Sequence, residues 1–63
     1  MLGKLVKWVG EFRVCEELDD KGVFIGYVVV SPDGTVSEVF NSFDDAVDHA
    51  RKLQKNLSSE YKS

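Results

Sequence analysis

The pentapeptide Ser31-Pro32-Asp33-Gly34-Thr35, set between two β-rich runs, constrains this chain more than any other segment. Pro32 presets φ for the first turn position and Asp33 suits the second. Gly34 can take the left-handed conformation that closes a three-residue hairpin with a bulge. The turn joins Val23-Phe24-Ile25-Gly26-Tyr27-Val28-Val29-Val30 to Thr35-Val36-Ser37-Glu38-Val39-Phe40. With Ser31 opposite Thr35, Val30 faces Val36, Val28 faces Glu38 and Gly26 faces Phe40. An aromatic across from a strand glycine compensates for the missing side chain.

Upstream, Trp8-Val9-Gly10-Glu11-Phe12-Arg13-Val14-Cys15-Glu16 alternates with period two. This places Trp8, Phe12 and Val14 on one face and Glu11, Arg13 and Cys15 on the other. The polar cluster Asp19-Asp20-Lys21-Gly22 then turns the chain into the apolar run. Beyond Phe40 the period becomes helical. Ser42 is an N-cap, with Asp45 three residues on in a capping-box position. Phe43, Ala46, Val47, Ala50, Leu53 and Leu57 form one apolar stripe. Asp44, Asp45 and Asp48 near the helix start, and Arg51, Lys52 and Lys55 near its end, complement the helix dipole. The expected fold is α+β: a three-stranded antiparallel meander with strands at about 5–17, 22–31 and 35–40. One C-terminal helix over about 43–57 packs on one face, and 58–63 is a frayed tail. Residues 1–63 form a single domain.

A chain of 63 residues and 7.1 kDa buries only about 60% of the surface its unfolded form exposes. Its 43% hydrophobic and 30% charged residues, with mean hydropathy −0.20, exclude a disordered or low-complexity segment. The single cysteine forms neither an internal disulfide nor a Cys-based zinc site, so the fold rests on packing alone. No run approaches the roughly 20 apolar residues of a membrane span, and Lys7 interrupts the N-terminal apolar stretch. The expected location is the cytoplasm. The net charge of −3 is unevenly spread: residues 14–48 carry nine acids against Lys21 alone, while both ends of the chain are basic.

One helix covers one face of a three-stranded sheet, and a strand with a wet face should alternate apolar and polar residues. The run from Val23 to Val30 does not alternate. Phe24, Val28 and Val30 point one way, and Val23, Ile25, Tyr27 and Val29 point the other, with Val39 and Cys15 extending the second set. An uncovered patch of this size marks an interface. The expected interface residues are Val23, Ile25, Tyr27, Val29 and Val39, and the expected assembly is a homodimer, with a different protein partner able to use the same face.

Motifs for chemistry are absent. Cys15 and His49 could form a nucleophile–base pair, but Cys15 sits among Glu11, Glu16 and Glu17, which raise a thiol pKa. It reads as a small apolar strand residue, and His49 as a helix-surface one. Asp45, Asp48 and His49 lack a fourth ligand, and acids at a helix start have a sufficient electrostatic reason. The five glycines form no phosphate-binding loop. No catalytic residue, metal or cofactor is expected. Glu16, Glu17, Asp19 and Asp20 form a possible acidic contact surface for a basic partner.

The order of three strands and a helix, with Phe40-Asn41-Ser42-Phe43-Asp44-Asp45-Ala46-Val47 following the sheet, resembles the Apetala-type and phage-integrase arm-type DNA-binding domains. That resemblance implies reading of the major groove by arginines and tryptophans on the sheet. Here the second and third strands carry neither Lys nor Arg. Only Lys4, Lys7, Trp8 and Arg13, with the basic helix end, would serve a nucleic-acid-binding regulator, and this is the alternative function. The segment Phe43-Asp44-Asp45-Ala46-Val47-Asp48-His49-Ala50 is also similar to the helix start of small bacterial and phage hairpin-plus-helix domains, over about residues 22–57. That resemblance carries no defined activity, but small phage proteins of this size often act as stoichiometric inhibitors, and by analogy it implies such a role. The leading expectation is a non-enzymatic, regulatory or inhibitory protein-binding module that self-associates through its sheet.

Overall fold

The computed structural model describes the backbone of residues 1–62 and the side chains of residues 1–57. It contains a three-stranded antiparallel sheet, β1 (Leu2–Val9), β2 (Phe12–Leu18) and β3 (Phe24–Val30), in the spatial order β1-β2-β3, followed by helix α1 (Phe43–Lys62). The α+β class, the antiparallel sheet and the C-terminal helix on one face agree with the sequence reading. The strands that build the sheet do not.

The stretch read as one strand over 5–17 is a hairpin. Val9 pairs with Phe12 across the two-residue loop Gly10-Glu11. Gly10 has φ 59°, and among the described residues no non-glycine residue has positive φ. A left-handed glycine followed by an ordinary residue is the signature of a type II′ turn, whose twist matches that of paired strands. A side chain at Gly10 would also collide with Gln54 of α1, whose Oε1 accepts the Glu11 N–H at 3.2 Å. The turn changes which residues share a face. In a two-residue hairpin Val9 and Phe12 lie together, so Trp8 goes with Arg13 and away from Phe12.

The Ser31–Thr35 turn forms as read: the Ser31 N–H donates to Thr35 O at 2.8 Å, and Gly34, at φ 92°, donates to Ser31 O at 2.9 Å. The segment after it is not a regular strand. It touches β3 through two isolated bridges, Val30 with Val36 and Tyr27 with Phe40. The first is the expected pair. The second is displaced by one residue from the expected Gly26–Phe40, because the segment bulges at Ser37, whose Oγ accepts the Val29 N–H at 2.8 Å. Gly26 has a role other than the one read for it. A Cβ there would lie 2.6 Å from Phe40 O and 2.5 Å from Val39 Cγ1, so glycine is what lets the returning chain approach β3.

Ser42 caps α1 through its Oγ, which accepts the Asp45 N–H at 3.1 Å. The helix continues through 58–62, which the sequence suggested as a frayed tail; Ser63 lies outside the described residues. Its stripe packs on the face carrying Phe12, Val14 and Val29. These three form the main core with Ala46, Val47 and Ala50, flanked by Val9, Tyr27, Phe40, Phe43, Leu53 and Leu57. Ala46 and Ala50 are fully buried, and their small side chains let the helix backbone settle close to the sheet.

Candidate functional site

The helix covers the face that sequence reading left open. Val29 is 1% exposed and sits in the core beneath α1, and Tyr27 packs at the edge of that core. Tyr27 stacks edge-on with Phe24 at 5.1 Å and with Phe43 at 5.7 Å between ring centroids. Neither is free to form an interface. The reason is the β2–β3 register, which sets Val14 opposite Val29 and so places Phe12 and Val14 on the same side as Tyr27 and Val29. Val23 and Ile25 are exposed but lie at the β2–β3 end, around the register shift between Glu17 and Leu18. Val39 is also exposed, and it lies against Gly26 on the side away from the helix.

That opposite side is the candidate site. Register places its residues in three rows. Trp8, Arg13 and Val30 form the first, continued by Val36; Leu5, Cys15 and Val28 form the second; Leu2, Glu17 and Gly26 form the third, continued by Val39. Cys15, Val28 and Val30 are buried as a second, separate apolar cluster. Around them stand large side chains with no layer over them: Trp8 is 58% exposed, Leu5 41% and Val36 44%, with Leu2 and Val39 similarly open. Large apolar side chains left open together on one face make this side the candidate site. The only charges among the three rows are Arg13, whose guanidinium carbon lies 5.9 Å from the Trp8 ring centroid, and Glu17, which accepts from the Met1 amine through Oε1.

Both edges of the sheet are protected. The outer edge of β3 is occupied: Tyr27 and Phe40 exchange backbone hydrogen bonds at 2.9 and 2.7 Å, and the Ser37 N–H donates to Val29 O at 2.9 Å. The β1 edge carries two register shifts, between Leu2 and Leu5 and between Leu5 and Lys7, together with Lys4 and Lys7. Bulges and lysines are the usual devices that block strand addition. The face, not an edge, is the part of the sheet left open.

The other candidate residues do not converge. Cys15 lies on the open face and His49 on the helix beneath the opposite face, where its ring sits 5.0 Å from that of Phe40. The sheet separates them, so these two do not form a nucleophile–base pair. Glu16 shares the Tyr27 side and Glu17 the open face. Asp19 turns inward, its Oδ1 accepting the Lys21 and Val23 N–H groups at 2.9 and 2.8 Å. The four acids are therefore not one surface. Lys7 lies opposite Val14 on the helix side, whereas Trp8 and Arg13 lie on the other, which divides the residues of the nucleic-acid alternative between two faces. A cleft of about 330 Å³ opens between Glu11, Phe12, Ser31, Pro32, Asp33, Leu53 and Leu57. Among the described residues no group of three or more His, Cys, Asp or Glu could hold a metal ion, and no helix is long and apolar enough to cross a membrane.

Burial pushes the Cys15 thiol above its ordinary value of 9.0, with the Arg13 guanidinium opposing the shift. Because the folded value is the higher, the thiol's contribution to stability is intact below pH 9.0. It is lost as pH rises from there through the folded value. The expected result is a decline in stability across that alkaline window that Cys15→Ala lacks, measured by urea unfolding at stepped pH. An identical slope in the two proteins contradicts the burial of the thiol.

No family model matches the chain, and no curated protein or solved structure does either.

Proposed function

We propose that this chain is a non-enzymatic protein-binding module that self-associates by packing the sheet face opposite α1 against a second copy, and that it acts through binding in a regulatory or inhibitory role. The observation that carries the reading is the uncovered layer of Leu5, Trp8, Val36 and Val39 over a buried floor of Cys15, Val28 and Val30. Face-to-face packing of two sheets about 10 Å apart supplies the missing layer without using an edge. It also fits the size of the chain, since a domain this small gains proportionally more from a second copy than a large one does.

Trp8 is the only tryptophan and stands in the proposed contact. Its fluorescence therefore reports on the interface alone. Across a roughly thousandfold dilution series bracketing micromolar protein, emission is expected to shift to shorter wavelength, and acrylamide quenching to weaken, as concentration rises. Emission and quenching that stay constant and solvent-like throughout rule out Trp8 as a contact residue.

A further inference from the structure

The order of side chains along β2 selects one way of pairing two such faces. We infer that, given self-association through this face, the two copies are related by a two-fold axis that runs across the strands and passes over Cys15. The inference rests on the proposed function above. Along the open face β2 presents Arg13, Cys15 and Glu17 in succession: a cation, a small apolar side chain and an anion.

Two sheets packed face to face by a two-fold axis lying between them have two simple arrangements. An axis along the strands keeps their direction, setting Arg13 over Arg13 and Glu17 over Glu17, which brings like charges together in the contact. An axis across the strands reverses their direction and exchanges the outer rows. Arg13 of each copy then meets Glu17 of the other, and the middle row meets itself. This is an isologous contact, in which i touches j and j touches i.

The same operation pairs apolar side chains as well as charges. Trp8, in the first row, comes over Leu2 of the third row, both of them exposed in the single chain. Leu5, in the middle row, meets its own counterpart. The rows are two residues apart along β2 and β3, about 6.6 Å, so the Arg13–Glu17 pairs lie either side of the axis, near enough for long side chains on aligned sheets to meet. Arg13 is held by the Trp8 ring and Glu17 by the Met1 amine, so both are partly ordered before association.

The test is charge reversal read by sedimentation velocity at low salt, where the contribution is largest. Arg13→Glu alone and Glu17→Arg alone each place like charges in both pairs and are expected to raise Kd about tenfold or more. The double variant Arg13→Glu/Glu17→Arg restores opposite charges and should return to within a fewfold of the unmodified protein. An equimolar mixture of the two single variants should form a heterodimer tighter than either homodimer, because an acidic pair then meets a basic pair. Formation of that heterodimer shows that both variants fold. A dimeric parent whose single variants keep its Kd, or whose mixture gains no affinity, overturns the operator and leaves the face intact. A parent that stays monomeric overturns both.

Discussion

Leu5→Glu and Val36→Glu, made separately, are expected to raise the dimer dissociation constant about a hundredfold or more, about 2.7 kcal/mol, while leaving the helical circular-dichroism signal unchanged. Both residues are close to half exposed in the single chain, so a carboxylate there is solvated and the fold tolerates it. In the dimer the same carboxylate loses its water within an apolar contact. Leu5 has the larger effect, since the axis brings it against its own counterpart and two like charges meet. Val23 provides the contrast. It is 56% exposed, as open as Trp8, but lies in the turn before β3, and Val23→Lys should leave the molar mass unchanged. If Val23→Lys dissociates the protein and Leu5→Glu does not, the contact lies at the β2–β3 end and the opposite face is not the interface.

Gly26→Val is expected to be the most damaging single exchange outside the main core. A Cβ at this position meets Phe40 O at 2.6 Å, and backbone cannot move aside as a flexible side chain can. Either β3 distorts or the 36–40 segment detaches, and overpacking of this kind costs about 1–3 kcal/mol. For a domain of this size that corresponds to a melting temperature lower by about 10 °C. Amide exchange separates the two outcomes. Detachment exposes the Tyr27 and Phe40 N–H groups, which are otherwise paired with each other's carbonyls, and leaves Val14 protected. A variant that melts with the parent and keeps both amides protected contradicts the close approach.

These residues also show where sequence reading carried and where it stopped. Ser31–Thr35 was legible because each residue has a separate conformational reason to be there, and the turn forms with the expected hydrogen bond. The start of α1 was legible for the same kind of reason: a capping serine, acids in the first turn and a change of period coincide at Ser42. The Gly10-Glu11 turn was hidden because apolar residues alternate on both sides of it, and period-two counting runs through a two-residue loop unbroken. The available signal was the Gly-X pair, which suits a type II′ turn. Missing it joined β1 and β2, moved the middle of the sheet to β3 and placed Trp8 beside Phe12.

The exchange of faces follows from the β2–β3 register, which sets Cys15 opposite Val28 and Val14 opposite Val29. An apolar β3 announces that both sides of a sheet are covered, and this part of the reading needs only the residues Val23–Val30. Which side the helix takes depends on the bulk assembled across strands. Once Phe12 and Val14 align with Tyr27 and Val29, the aromatic-rich side receives the stripe of Ala46, Val47 and Ala50. The residues left outside are then Leu5, Trp8 and Val36. None of them was distinguishable as an interface residue before the hairpin register was known. The Arg13–Cys15–Glu17 order was visible in the sequence throughout, but it acquires meaning only when β2 is the central strand of an uncovered face.

The central claim is that the uncovered face is a contact between two copies, and its most direct test is the molar mass of the unmodified chain by sedimentation equilibrium. A concentration series through the micromolar range, run beside Leu5→Glu, is sufficient. The account predicts a mass that rises to twice 7.1 kDa for the parent and stays at 7.1 kDa for the variant. A parent mass of 7.1 kDa at every concentration contradicts it.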